Sequence, residues 1–184
     1  MNRIKPTWMG SICLTILLFL LCACSTTTGN KTPSSQAGSS GTGATAVEEK
    51  IAQAVFQAIN QSRAQHGLPP LTWSTALVSS ARQHNLAMQA ANTLTHQLPG
   101  EAALGDRERQ EGVNWTWAAE NIGETSDQSV NGALGLHRAM MSEQPPDDGH
   151  RQNILTTSGT IVGIAILIDQ QHGVLWLTED FAHV

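Results

Sequence analysis

Tyrosine is absent from this 184-residue chain, and aromatic residues together make up only 4% of it. Three cysteines occur, Cys13, Cys22 and Cys24, all within the first 24 positions. The remainder of the chain therefore has no disulfide framework, no cysteine zinc site and no thiol nucleophile. Basic charge is scarce too. Ten Lys and Arg face fifteen Asp and Glu, a formal net charge of −5, which argues against a nucleic-acid partner held by a basic footprint. There is no His-Glu-x-x-His, no Gly-x-Ser-x-Gly and no Walker loop, so the commonest metalloprotease, serine-hydrolase and nucleotide signatures are missing. No internal repeat is visible. The length suits one domain with appendages.

The first appendage is an address. Arg3 and Lys5 precede an apolar run from Met9 to Leu21, shorter than the roughly 20 residues that span a bilayer. A basic start, a short apolar stretch and small residues after it read as a secretory signal. Its end, Leu21-Cys22-Ala23-Cys24, resembles the bacterial lipoprotein box. That resemblance implies that residues 1–23 are removed and that Cys24 receives lipid and becomes the first mature residue. Ser25 stands where Asp would mark inner-membrane retention in enterobacterial lipoproteins, which implies the outer membrane if the cell is Gram-negative. Residues 24–46 are rich in Ser, Thr and Gly. They have too little apolar surface to offset the entropy of ordering, and read as a flexible tether. The folded domain is then 47–184.

Within it, Ile51, Val55 and Ile59 recur at helical spacing behind Glu48 and Glu49, and Gly67 and Pro69-Pro70 stop the pattern. A second helix is expected from an N-cap at Ser74 to about Ala91, with Leu77, Ala81, Leu86 and Met88 as apolar positions. A third covers 130–142. The aliphatic runs 161–168 and 174–181 flank Asp169-Gln170-Gln171-His172-Gly173 and predict a hairpin. Residues 115–122 suit another strand. Helices first and a hairpin last predict an α+β layered domain. Trp73 and Leu77 are expected to anchor the first two helices on the sheet. The stretch 97–117, with Asp106-Arg107-Glu108-Arg109, reads as a charged loop at the edge of a cleft.

The chemistry-bearing residues are scattered His and Glu: His96 after the second helix, Glu120 before Asn121-Ile122-Gly123, Glu143 closing the third helix, and His150 opening Gly149-His150-Arg151-Gln152-Asn153-Ile154-Leu155. In this order they resemble the CAP superfamily (also called SCP/TAPS) in its bacterial secreted branch. Ile59-Asn60-Gln61-Ser62-Arg63 through Leu71-Thr72-Trp73 is similar to that family's opening helix and turn. Glu120-Asn121-Ile122 resembles its Gly-Glu-Asn-Ile motif, with Ala119 for Gly. Residues 149–155 resemble its Gly-His-Arg-x-Asn-Ile-Leu motif, and Trp176 to Ala182 its closing strand, where Gln is commoner than Glu179.

The resemblance covers about Val55 to Ala182. It implies a three-layer α-β-α sandwich with a C-terminal antiparallel hairpin and a cleft holding a tetrad of His96, Glu120, Glu143 and His150. In several members that tetrad binds a divalent metal. His96 and His150 are the candidate ligands here, zinc the candidate ion, and the two Glu further ligands or partners of the rings. Asn121 and Asn153 are expected to be structural, bonding backbone groups of a turn. The remaining histidines, His66, His84, His137, His172 and His183, read as surface or satisfied core residues with no function. Trp115, Trp117 and Trp176 read as core or cleft wall. Three functions stay open: an envelope-anchored module that binds a small molecule, lipid, peptide or cell-wall fragment; a metal-dependent hydrolase of peptide or cell-wall substrates; and a structural envelope protein.

Overall fold

The structure is a computed structural model and describes residues 43–184. The expected signal at 1–23, the expected lipid site at Cys24 and nearly all of the expected tether lie outside the described residues. The elements follow in the order α1 (Ala46–Gln65), β1 (Thr72–Trp73), α2 (Thr75–Ala91), α3 (Leu104–Gln110), β2 (Trp117–Thr125), α4 (Val130–Ser142), α5 (Gly149–Ile154), β3 (Ile161–Asp169) and β4 (Val174–His183). No helix among the described residues is long and apolar enough to cross a membrane.

Local sequence sets the ends of these elements. Thr45 accepts from the Glu48 amide while the Glu48 carboxylate accepts from the Thr45 amide. This capping box satisfies two orphan donors at the start of α1, so Thr45 and Ala46, read from sequence as the end of the tether, form the cap and first residue of the helix. Gly67, at φ +70°, takes the left-handed turn that ends α1. Asn60 then clamps the backbone of Leu71 from both sides, accepting from its amide at 2.8 Å and donating to its carbonyl at 3.1 Å. The Ser74 hydroxyl accepts from the Leu77 amide and caps α2.

Four strands form one sheet in the order β1-β3-β4-β2. β1 pairs with β3 in parallel, and β3-β4 and β4-β2 are antiparallel. Side chains alternate between faces. On one face Val162, Ile164, Ile166, Leu175, Leu177 and Phe181 pack against α1, α4 and α5, joined by Val55, Ile59 and Ile154. On the other, Ala165, Leu167, Trp176, Thr178 and Asp180 meet α2, and Ala182 packs with Leu77 and Val113. The result is the three-layer α-β-α arrangement expected from the sequence. α2 lies so close to β3 that a Cβ on Gly163 would come within 2.3 Å of the Leu77 carbonyl carbon and the Val78 nitrogen. Glycine is therefore required there. Leu77 is fully buried, whereas Trp73 is half-buried and meets the Phe56 ring edge-on at 5.2 Å.

Two sequence expectations need correcting. Residues 97–117 are not simply a loop, because they contain α3. The strand expected at 115–122 runs instead from Trp117 to Thr125, since β2 follows β4 residue for residue, from Trp117 opposite His183 to Thr125 opposite Leu175.

Candidate functional site

β2 is an edge strand, and the space beside it is walled by α5, the turn between α4 and α5, and the segment that follows α2. A cavity of about 300 Å³ there is lined by His96, Glu120, Glu143, Asp147, Gly149, His150 and Asn153. The structure thus brings all four tetrad positions to one cavity.

Each imidazole leans on a carboxylate. His96 Nδ1 lies 2.9 Å from Glu120 Oε1, and His150 Nδ1 lies 2.5 Å from Glu143 Oε1. A carboxylate can only accept, so Nδ1 carries the proton in both rings. Nε2, on the far side of each ring, has no protein partner among the described residues. The rings differ in exposure. The His96 side chain is 57% exposed and that of His150 34%.

The supports of the two pairs differ. Glu143, the residue that ends α4, also accepts from the amides of His150 and Arg151 at 3.1 and 3.4 Å. It therefore caps the start of α5 as well as holding its ring. The α5 backbone is fixed from below. Buried Arg63 donates to the carbonyls of Pro69, Ile154 and Thr156 at 2.8–2.9 Å. Asn121 donates to the carbonyl of His150 and to Glu179, and accepts from Asn153 at 2.9 Å. Asn153 also donates to the carbonyl of Glu120 at 3.4 Å. These two amides tie α5 to β2 and set where His150 stands relative to Glu120.

Glu120 is held by side chains. It is buried, and Arg107 Nη2 of α3 donates to its Oε2. His84 Nε2 lies 3.8 Å from its Oε1. Burial alone would raise this carboxyl, but the His96 hydrogen bond and the Arg107 charge outweigh it and hold Glu120 below the usual carboxylate range. The neighbouring acids go the other way. Burial pushes Glu108 up to about 8 and Glu179 up to about 7. Asp180, directly across from Glu120 on β4, is pushed well up by burial and then by the Glu120 charge. Glu120 is thus an ionised group among buried acids biased toward their neutral forms.

Sequence reasoning missed Arg107, His84 and Glu101. His84 was expected to have no role beyond the helix surface or a satisfied core, yet it is fully buried, with Nδ1 2.8 Å from Glu101 Oε1 and Nε2 directed at Glu120. A signal was present. His84 shares the helical spacing of Leu77, Ala81 and Met88, the buried stripe of α2. His137 is also buried, bonded to Ser62 at 3.0 Å, a tie between α4 and α1. Trp176 is core, as expected, and Trp115 and Trp117 are half-buried. A second hollow, of about 340 Å³, lies between α1 and α2. Four charged residues line it, Glu48, Glu49, Lys50 and Arg82, and Glu48 and Arg82 bond each other and backbone groups.

The donors suit a divalent ion only in part. Imidazoles held by carboxylates through Nδ1 are the arrangement that presents Nε2 to zinc. Among the described residues, however, no group of three His, Cys, Asp or Glu is placed to hold a metal. Two imidazoles alone are an incomplete donor set for zinc.

The CAP family, described as the cysteine-rich secretory protein family, matches residues 56–181. The uncharacterised protein YkwD of Bacillus subtilis (strain 168) is 30% identical over 129 residues, which cover 69% of this chain and 45% of that protein. A crystal structure of an extracellular SCP-domain protein from Bacillus anthracis str. Ames superposes with a TM-score of 0.64 at 25% identity, over 74% of this chain and 41% of that one. An outer surface protein of Borrelia burgdorferi shares the fold with a TM-score of 0.63 at 16% identity, over 73% of this chain and 92% of that one. The chain thus spans less than half the length of the two Bacillus relatives.

Proposed function

This chain belongs to the CAP, or cysteine-rich secretory protein, family, and on that premise we propose that it is a binding module of the cell envelope whose His/Glu cleft holds a ligand. The observation that carries this reading is that two imidazoles, each held through Nδ1 by a carboxylate and with Nε2 bare, line one cavity. Such rings accept hydrogen bonds from a small molecule, lipid headgroup, peptide or cell-wall fragment, or bind a divalent ion. His96 and His150 would hold zinc through Nε2, with Glu120 and Glu143 fixing the rings. Bound there, the ion would supply a positive charge to a ligand carbonyl or carboxylate.

The committed carboxylates favour binding over hydrolysis. A metal-dependent hydrolase with Glu as its base needs that carboxylate free to take a proton from water. Glu120 is engaged by His96 and Arg107, and Glu143 by His150 and two amides. A purely structural role for the tetrad accords poorly with a His96 ring that stands more than half in solvent.

The envelope location rests on the Leu21 to Cys24 box and on the likeness to an extracellular SCP-domain protein of Bacillus anthracis. Lipid on Cys24 would tether the domain to the membrane, at the outer membrane in a Gram-negative cell. The test of the cleft is calorimetry with zinc on the wild type, His96→Ala and His150→Ala. Micromolar binding by the wild type alone supports the reading. No binding by the wild type, or equal binding by both variants, sinks the metal part of it.

A further inference from the structure

The His96 arm of the cleft depends on a group the tetrad does not include. α3 places Arg107 beneath the cleft, fully inside the protein. The helix is pinned from outside: Trp115 Nε1 donates to the Gly105 carbonyl at 2.8 Å, and the Arg109 guanidinium lies 3.9 Å from the centre of the Trp115 ring. Any Cβ on Gly105 would overlap that ring. Arg107 is thus delivered by a segment with little room to move.

Its guanidinium pairs with Glu101 and Glu120, and its charge also acts on buried Glu108 and Asp180. Glu120 receives the direct hydrogen bond, while Glu101 Oε1 lies 3.7 Å from Nη1. Neither oxygen of Glu108 has a partner, and Asp180 accepts from the Ser80 hydroxyl at 2.7 Å. Glu101 in turn holds His84, which faces Glu120 from the other side. Oε2 of Glu120 is therefore occupied by Arg107, and only Oε1 is left to accept from His96.

We propose that Arg107 is a positioning residue of the cleft: by fixing the Glu120 carboxylate it fixes the tautomer and direction of the His96 ring, and so presents Nε2 of His96 to the ligand. Without the guanidinium, Glu120 Oε2 loses its hydrogen-bonded partner, the carboxylate can turn, and the ring can populate the opposite tautomer. His150 has a separate support, made of Glu143 and the α5 amides, and does not depend on Arg107. The proposal builds on the reading of His96 as a ligand-facing group, but its test reads the ring itself with no ligand present. Zinc binding can therefore fail without touching it.

The experiment is nitrogen NMR of the histidine rings at pH 8, where an unperturbed imidazole is neutral, on the wild type, Arg107→Gln and Arg107→Lys. The wild type should show His96 almost entirely as the Nδ1–H form. Arg107→Gln should shift that tautomer ratio at least about tenfold toward Nε2–H, roughly the effect of losing one charged hydrogen bond. Arg107→Lys, which keeps the charge, should recover much of the wild-type ratio. His150 should be unchanged in all three. An unchanged His96 in Arg107→Gln, or equal changes at both rings, would overturn the proposal. If Arg107→Gln does not fold, the wild type alone decides. A clamped guanidinium gives resolved, slowly exchanging Nη1 and Nη2 signals for Arg107, and averaged signals would contradict it.

Discussion

The two faces of the sheet are built from different chemistry. Toward α1, α4 and α5 the buried strand residues are almost all aliphatic or aromatic: Val162, Ile164, Ile166, Leu175, Leu177 and Phe181. Toward α2 and α3 the same strands bury Glu120, Thr178 and Asp180 beneath Ser80, His84, Asn85, Arg107 and Glu108. The first face gains stability by removing apolar area from water. The second buries charge, which is a weak source of stability and is costly when a partner is lost. The hydrophobic face holds the fold, and the polar face holds the cleft beside the edge strand. The division is not complete, since Asn121 and Glu179 lie on the aliphatic face where α5 meets β2.

The largest effect should come from the dry face. Phe181→Ala, at a fully buried position, should cost about 3–5 kcal/mol, a large part of an ordinary stability of about 5–15 kcal/mol. Urea unfolding measures this. The His96–Glu120 pair should survive in whatever fraction stays folded. A small loss would mean that the aliphatic face is not the main support.

The polar face should show itself through pH. Glu108 and Glu179 have folded values of about 8 and 7 against an ordinary 4.5. Between these limits the native state binds more protons than the unfolded state. Stability from these groups is then full below about 4.5 and falls as pH rises through 7 and 8. Glu120 has a lowered value, so its contribution is present above the ordinary value and is lost as pH falls. Thermal midpoints should therefore peak in mild acid and decline toward pH 8. Glu108→Gln, which leaves a neutral group at that place, should flatten the decline. A midpoint that rises steadily from pH 5 to 8 would contradict the buried neutral acids.

A smaller effect belongs to neither face. Thr45→Ala breaks the capping box at the start of α1 and should cost about 1 kcal/mol. A melting curve unchanged by Thr45→Ala would show that the start of α1 is held by other contacts. A comparable effect should come from the cleft rim, where His96→Ala removes a mostly exposed ring together with the hydrogen bond that buried Glu120 accepts and should cost about 1 kcal/mol while abolishing zinc binding.

How much of this was legible follows the same division. Ile51, Val55 and Ile59 declared α1, and the two aliphatic runs around Asp169–Gly173 declared the hairpin, because apolar periodicity is written in sequence. The tetrad positions came from resemblance rather than from periodicity. Arg107 could not be read. In a run of Asp, Arg, Glu and Arg a charge looks solvated, and only the packing of α3 on Trp115 and β2 takes this one out of water. His84 lay between, polar in its neighbours Gln83 and Asn85 but on the buried stripe by its spacing.

The most direct test of the account is a crystal structure of the protein soaked with zinc. The account predicts that an ion would be held in the cleft by His96 and His150, with Glu120 and Glu143 still bonded to Nδ1 of the two rings. Zinc at another place, such as the His172–Asp169 pair of the hairpin, with the cleft rings unchanged, would contradict it.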